Sequence, residues 1–170
     1  MSSTDTEIER AGLSGLATSL IKVWAMLGGI VLLCVVAVNV FSVLGGIFWK
    51  PFPGDFEMTE VGVAVAAFAF LPYCQLTGSN VSADIFTSGA SPKTVAFLTL
   101  LGSIIAFFFS LLLMWRMYDG MLDQKAYNYI TAILQFPHWI AYIPILISLA
   151  LLAVASFLSA RENIAQLRKA

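Results

Sequence analysis

Few side chains in this sequence have the type and spacing that chemistry requires. Its two cysteines, Cys34 and Cys74, stand 40 residues apart inside apolar runs, and its one histidine is His138. That spacing gives neither a CxxC metal or redox site nor a disulfide framework, so both thiols read as small buried apolar side chains. A haem-carrying bundle needs paired imidazoles, which one histidine cannot supply. His138, next to Trp139 and close to Tyr142, reads as a residue of an interfacial aromatic belt. Glu57 and Glu60 lie one helical turn apart and share a face. They form either an acidic site for a cation or a partner's arginine, or a pair of carboxylates favoured by the positive end of a helix at the water boundary. No nucleophile, base or metal constellation emerges, so the chain is not read as an enzyme and no catalytic residue, cofactor or metal is expected.

The elements that must position these groups are apolar. Of 170 residues 59% are hydrophobic and 11% charged, with a mean hydropathy of +0.88; soluble domains carry roughly 25% charged residues. The reading is an all-α membrane protein of four transmembrane helices, a single membrane domain over residues 1–170. Such a length leaves no room for a sizeable soluble module. The net charge of −1 is scattered, which excludes the basic patch that nucleic acid requires.

The acidic amino terminus, with Asp5, Glu7 and Glu9, does not resemble a secretory leader, and no cleaved signal is expected. The first span is predicted over residues 22–48. Residues 23–48 carry no charge, and 26 residues at 1.5 Å each reach about 39 Å, more than a ~30 Å hydrocarbon core, so this span must tilt or protrude. Lys22 and Trp24 anchor one end and Trp49 the other. Two prolines and a glycine break the chain before Asp55, which can cap a second span over 56–76. Ser91 and Pro92 open a third over 92–115, closed by Trp115 and Arg116. Residues 116–136 are predicted as an interfacial loop or short helix. A fourth span follows over 137–160, opened by Pro137 with Trp139 as its anchor, and the tail reads as a helical extension.

Four spans put both termini on one side. Arg10, Lys22, Lys93, Arg161, Arg168 and Lys169 lie on that side, against Lys50, Arg116 and Lys125 on the other, which predicts cytoplasmic termini. No span carries an ionisable group at mid-depth, the feature that a proton-coupled carrier needs. The deepest polar side chain is Asn39, either an interhelical hydrogen bond that fixes packing or orients a partner helix, or an amide satisfied within its own bundle. Small residues are more telling. Gly62, Ala66 and Ala69 line one face of the second span, and Gly102, Ala106 and Ser110 recur at four-residue spacing in the third. Such faces permit close helix approach, within the chain or to another membrane subunit.

The order of motifs resembles the DctQ-like small membrane subunit of tripartite ATP-independent periplasmic (TRAP) transporters. The resemblance rests on Gly54-Asp55-Phe56-Glu57 opening the second span and Phe70-Leu71-Pro72-Tyr73-Cys74-Gln75 closing it. It continues in Asn80-Val81-Ser82-Ala83-Asp84 in the next loop and Pro137-His138-Trp139 with Pro144 in the fourth span. Asp84 matches the family pattern, whereas Asn80 stands where the family usually has histidine. The resemblance implies a bacterial inner-membrane subunit bound to a large permease subunit that holds the sodium and substrate sites. A periplasmic substrate-binding protein would feed that complex with organic acids such as C4-dicarboxylates or sialic acid. It implies a stator role for this chain, with membrane lipids as its surroundings. The alternative is a free-standing four-helix membrane assembly or lipid-binding factor.

The charge asymmetry gives a direct test. A single cysteine introduced near Ser3 or Lys169, in a background lacking Cys34 and Cys74, is expected to resist an impermeant maleimide in intact cells. Labelling there would reverse the orientation.

Overall fold

The computed structural model describes residues 3–78 and 92–169, and the motif containing Asn80 and Asp84 lies outside them. Four helices follow in order: α1 (Ser3–Phe48), α2 (Asp55–Thr77), α3 (Pro92–Ala126) and α4 (Trp139–Lys169). Each holds a stretch long and apolar enough to cross a membrane. In hydrocarbon a helix is the solution that satisfies its own backbone donors and acceptors.

Helix α1 begins well before Lys22. Its 46 residues correspond to about 69 Å, because the polar lead has no proline and its acidic residues sit at the favourable end of the helix dipole. The helix ends before Lys50-Pro51, where the residue preceding proline is pushed out of the helical region. Helix α2 ends at Gly78, whose positive φ of 65° lets its N–H turn back to the carbonyls of Cys74 and Gln75. Helix α3 corrects the predicted end at Trp115 and Arg116, since it continues to Ala126. Residues 116–126 contain no proline, and Gly120 keeps that extension close to α4. A Cβ on Gly120 would stand 3.4 Å from the Tyr142 ring. Helix α4 starts at Trp139 rather than Pro137 and runs through Pro144.

Helix α2 packs against both α1 and α4, α4 packs against α3, and α1 touches α4 only lightly. The order across the molecule is therefore α1, α2, α4, α3. Ile21, Ala25, Gly28, Val35 and Ser42 form the buried stripe of α1, at spacings of three, four and seven. Such a stripe is one seam of a helix whose other faces are left to lipid. Leu33, Phe41 and Ile47 on α1, and Phe97, Ile105 and Phe108 on α3, are exposed.

The small face of α2 meets α1. A Cβ on Gly62 would collide with Val35, and one on Gly28 would come within 2.7 Å of the Ala69 Cβ. Ala66 and Ala69 are buried in the same seam. The predicted face of α3 divides instead. Ser110 is buried and Ala106 half-buried, while Gly102 is exposed with open space beside it among the described residues. Cys34 is likewise exposed, correcting its assignment as a buried thiol, and Cys74 is half-buried.

Several buried hydroxyls are satisfied locally or across seams, whereas the fully buried Ser156 Oγ has no hydrogen-bond partner among the described residues. Ser103 Oγ donates to Thr99 O at 2.9 Å, and Ser148 Oγ to Pro144 O at 2.7 Å. Trp24, expected as a membrane anchor, is half-buried, and its Nε1 donates to Ser148 Oγ at 2.9 Å, joining α1 to α4. Ser159 Oγ donates to Gln75 O at 3.3 Å and joins α4 to α2. Each such bond spares a polar group from hydrocarbon.

The two glycines now have opposite expectations. Gly62→Leu overpacks the α1–α2 seam and should cost ~1–3 kcal/mol, whereas Gly102→Leu should leave the chain's own stability unchanged. Thermal unfolding in mild detergent separates them, and equal losses would contradict the packing described.

Candidate functional site

The polar residues gather at the first turns of α2. Gly54 precedes the helix in the left-handed region at φ 81°, a conformation suited to glycine. Asp55 is therefore the first helical residue and not the cap expected of it. Its Oδ1 accepts from Phe56 N at 2.8 Å, and its Oδ2 accepts the hydroxyl of Ser42 on α1. Ser42 Oγ in turn accepts from Phe52 N at 3.3 Å in the connecting turn.

One turn deeper, Thr59 Oγ1 donates to Asp55 O at 2.7 Å and accepts from Asn39 Nδ2 at 2.6 Å. Asn39 Nδ2 also reaches Val35 O at 2.9 Å. Asn39 thus makes an interhelical bond inside its own chain, and the chain of bonds from Asn39 through Thr59 and Asp55 to Ser42 closes the α1–α2 hairpin. Thr59 and Ser42 carry this link, and neither stands out in the sequence, because a hydroxyl at a helix contact has no motif.

Glu57 turns the other way. Its two carboxylate oxygens accept the backbone N–H groups of Ile133, at 2.7 Å, and Leu134, at 2.9 Å, in the loop between α3 and α4. Helical side chains lean toward the helix N-terminus, which lets a first-turn glutamate reach past the end of its own helix. A carboxylate receiving two amide donors makes the stronger, charge-assisted kind of hydrogen bond. Glu57 is thus more than a residue favoured by the helix dipole. Glu60, one turn on, is exposed.

The loop that Glu57 holds is itself ordered. Ile130 and Pro137 pair in an antiparallel bridge, Thr131 N donates to Phe136 O at 3.0 Å, and Phe136 N donates to Thr131 Oγ1 at 2.9 Å. The Leu134 side chain sits over Gly54, where a Cβ would come within 2.5 Å of its Cγ. Lys125 Nζ lies 5.3 Å from the centre of the Trp139 ring, closing the loop's two ends. Of the expected anchors, Lys22, Trp49, Trp115 and Arg116 are exposed and Trp139 is half-buried.

Beneath this loop lies a groove of about 580 Å³ between α1 and α2. Its walls include Ile30, Cys34 and Val38 of α1 and Met58 and Val61 of α2, and Glu57 lies at the loop end. The arrangement can fix elements to one another by hydrogen bonds. Among the described residues no group of three or more His, Cys, Asp or Glu side chains is placed to hold a metal ion.

Neither a curated protein nor a solved structure matches the chain. The family of tripartite ATP-independent periplasmic transporters, DctQ component, matches residues 32–166, which takes in the α1–α2 hairpin bonds, the Glu57 contact and the whole of α3. With most of its length matched, the chain belongs to the DctQ family and is a small membrane subunit of a TRAP transporter in the bacterial inner membrane.

Proposed function

We propose that the chain is the non-catalytic scaffold of its transporter, a stator that holds a large permease subunit in place while that subunit carries sodium and an organic acid across the bilayer. The observation that carries this reading is the use to which the polar groups are put. Asn39, Asp55, Glu57 and Thr59 all bond within the chain, whereas α1 and α3 present broad apolar faces outward. A subunit that binds cargo needs polar or charged groups directed at a cavity within the membrane, while a scaffold needs rigid helices and apolar surface. The soluble substrate-binding protein meets the assembled complex on its periplasmic face. With both termini cytoplasmic, as the lysine and arginine distribution favours, that face carries the turn before α2 and the α3–α4 loop that Glu57 anchors.

The α3 face around Gly102 is proposed as a contact with the large subunit. Among the described residues Gly102 has open space beside it and exposed Leu98, Leu101 and Ile105 around it, the pattern of a notch that a second helix can enter closely. Gly102→Leu should then fold normally yet lose the large subunit on co-purification, and cells supplied with all three components should lose sodium-driven uptake of a C4-dicarboxylate. In liposomes the chain alone should transport nothing. Uptake by the chain alone would defeat the scaffold reading, and normal assembly of Gly102→Leu would move the contact to another face.

A further inference from the structure

We infer that the groove between α1 and α2 binds the acyl chain of one membrane phospholipid. The groove extends along α1 from Ile30 to Val38, about 12 Å at 1.5 Å per residue, and its floor is the closed contact of Gly62 with Val35. The loop held by Glu57 roofs one end, contributing Leu134, Phe136 and Pro137. Its shape chooses the occupant. A helix is 10–12 Å across with its side chains and continues past its contact, so it cannot enter a recess two turns long with a roof. A flexible hydrocarbon tail can.

The distribution of polarity points the same way. Glu57, Thr131 and Gln135 lie at the roofed end, and the α1 wall from Ile30 to Val38 is apolar apart from the weakly polar thiol of Cys34. An amphiphile has that polarity when it stands along a span, with its head at the water boundary and its tail toward mid-membrane. A methylene takes up about the volume share of a liquid water, ~30 Å³, so a cavity of about 580 Å³ has room for one hydrocarbon tail along its length, with the far end of that tail continuing into the hydrocarbon layer. Ile30 and Cys34 are exposed, so the groove opens sideways from two membrane-spanning helices into the hydrocarbon layer. The site does not depend on the stator reading, because it is formed by this chain's own helices and loop.

The test uses the transporter complex purified from native membranes, with Val38→Trp to fill the groove and Leu33→Trp, an exposed position on α1 outside the groove lining, as control. Native mass spectrometry counts phospholipids that survive delipidation. The unaltered complex and Leu33→Trp should retain one, and Val38→Trp should retain about tenfold less while keeping its unfolding temperature. Equal retention in all three, or no retained phospholipid in any, would overturn the site. Cys34 supplies a second readout that is independent of the Trp variant's folding. In a Cys74→Ala background, delipidated protein should react with N-phenylmaleimide at Cys34, and added palmitoyl-oleoyl-phosphatidylglycerol should slow that reaction about tenfold. Protection by the large subunit with none by the phospholipid would give the groove to a protein partner and refute the proposal.

Discussion

The contact of Glu57 with the amides of Ile133 and Leu134 joins parts of the chain that are 76 and 77 residues apart. The molecule consists of two helical hairpins, α1–α2 and α3–α4, which meet along the α2–α4 seam. Ser159 and Gln75 join that seam toward one end, and Glu57 fastens the α3–α4 loop at the other. The loop's position sets where Leu134 rests on Gly54, and the same placement roofs the groove. A carboxylate in the first turn of α2 thereby ties the α3–α4 loop to the α1–α2 hairpin.

Elsewhere the bilayer imposes the architecture. Between membrane helices there is no hydrophobic driving force, because lipid is as apolar as leucine, so close approach and hydrogen bonds must do the joining. The chain meets this with glycine and alanine on α2, which bring α1 into contact, and with serines that bond to their own helix or to a neighbour. Most apolar side chains on α1 and α3 remain outside these seams. In a soluble protein so much exposed apolar surface would mark a fault, whereas here it is the surface offered to lipid and to partner subunits.

The four spans were legible in the sequence because an uncharged stretch of this length has few alternatives. A close-contact face on α2 was legible in Gly62, Ala66 and Ala69, but that α1 is the helix it meets was not, because small residues admit any neighbour. Helix ends were less so: α3 passes Trp115 and Arg116 because packing of Gly120 against Tyr142 sustains the helix beyond its apolar part. Trp24 reads as an anchor by type, yet its partner Ser148 lies 124 residues away and no local pattern announces it. Glu57 was visible as a carboxylate at a helix start. Its role was not, because its acceptor bonds go to backbone amides, which look alike in every sequence.

Amide hydrogen exchange at Ile133 and Leu134 tests this account most directly, with the intact protein in lipid nanodiscs compared with Glu57→Ala. In the unaltered protein both amides should be protected, and in the variant both should exchange like exposed loop amides while the backbone of α2 and α4 keeps its protection. Unchanged protection of the two loop amides in Glu57→Ala would contradict the central role given to this carboxylate.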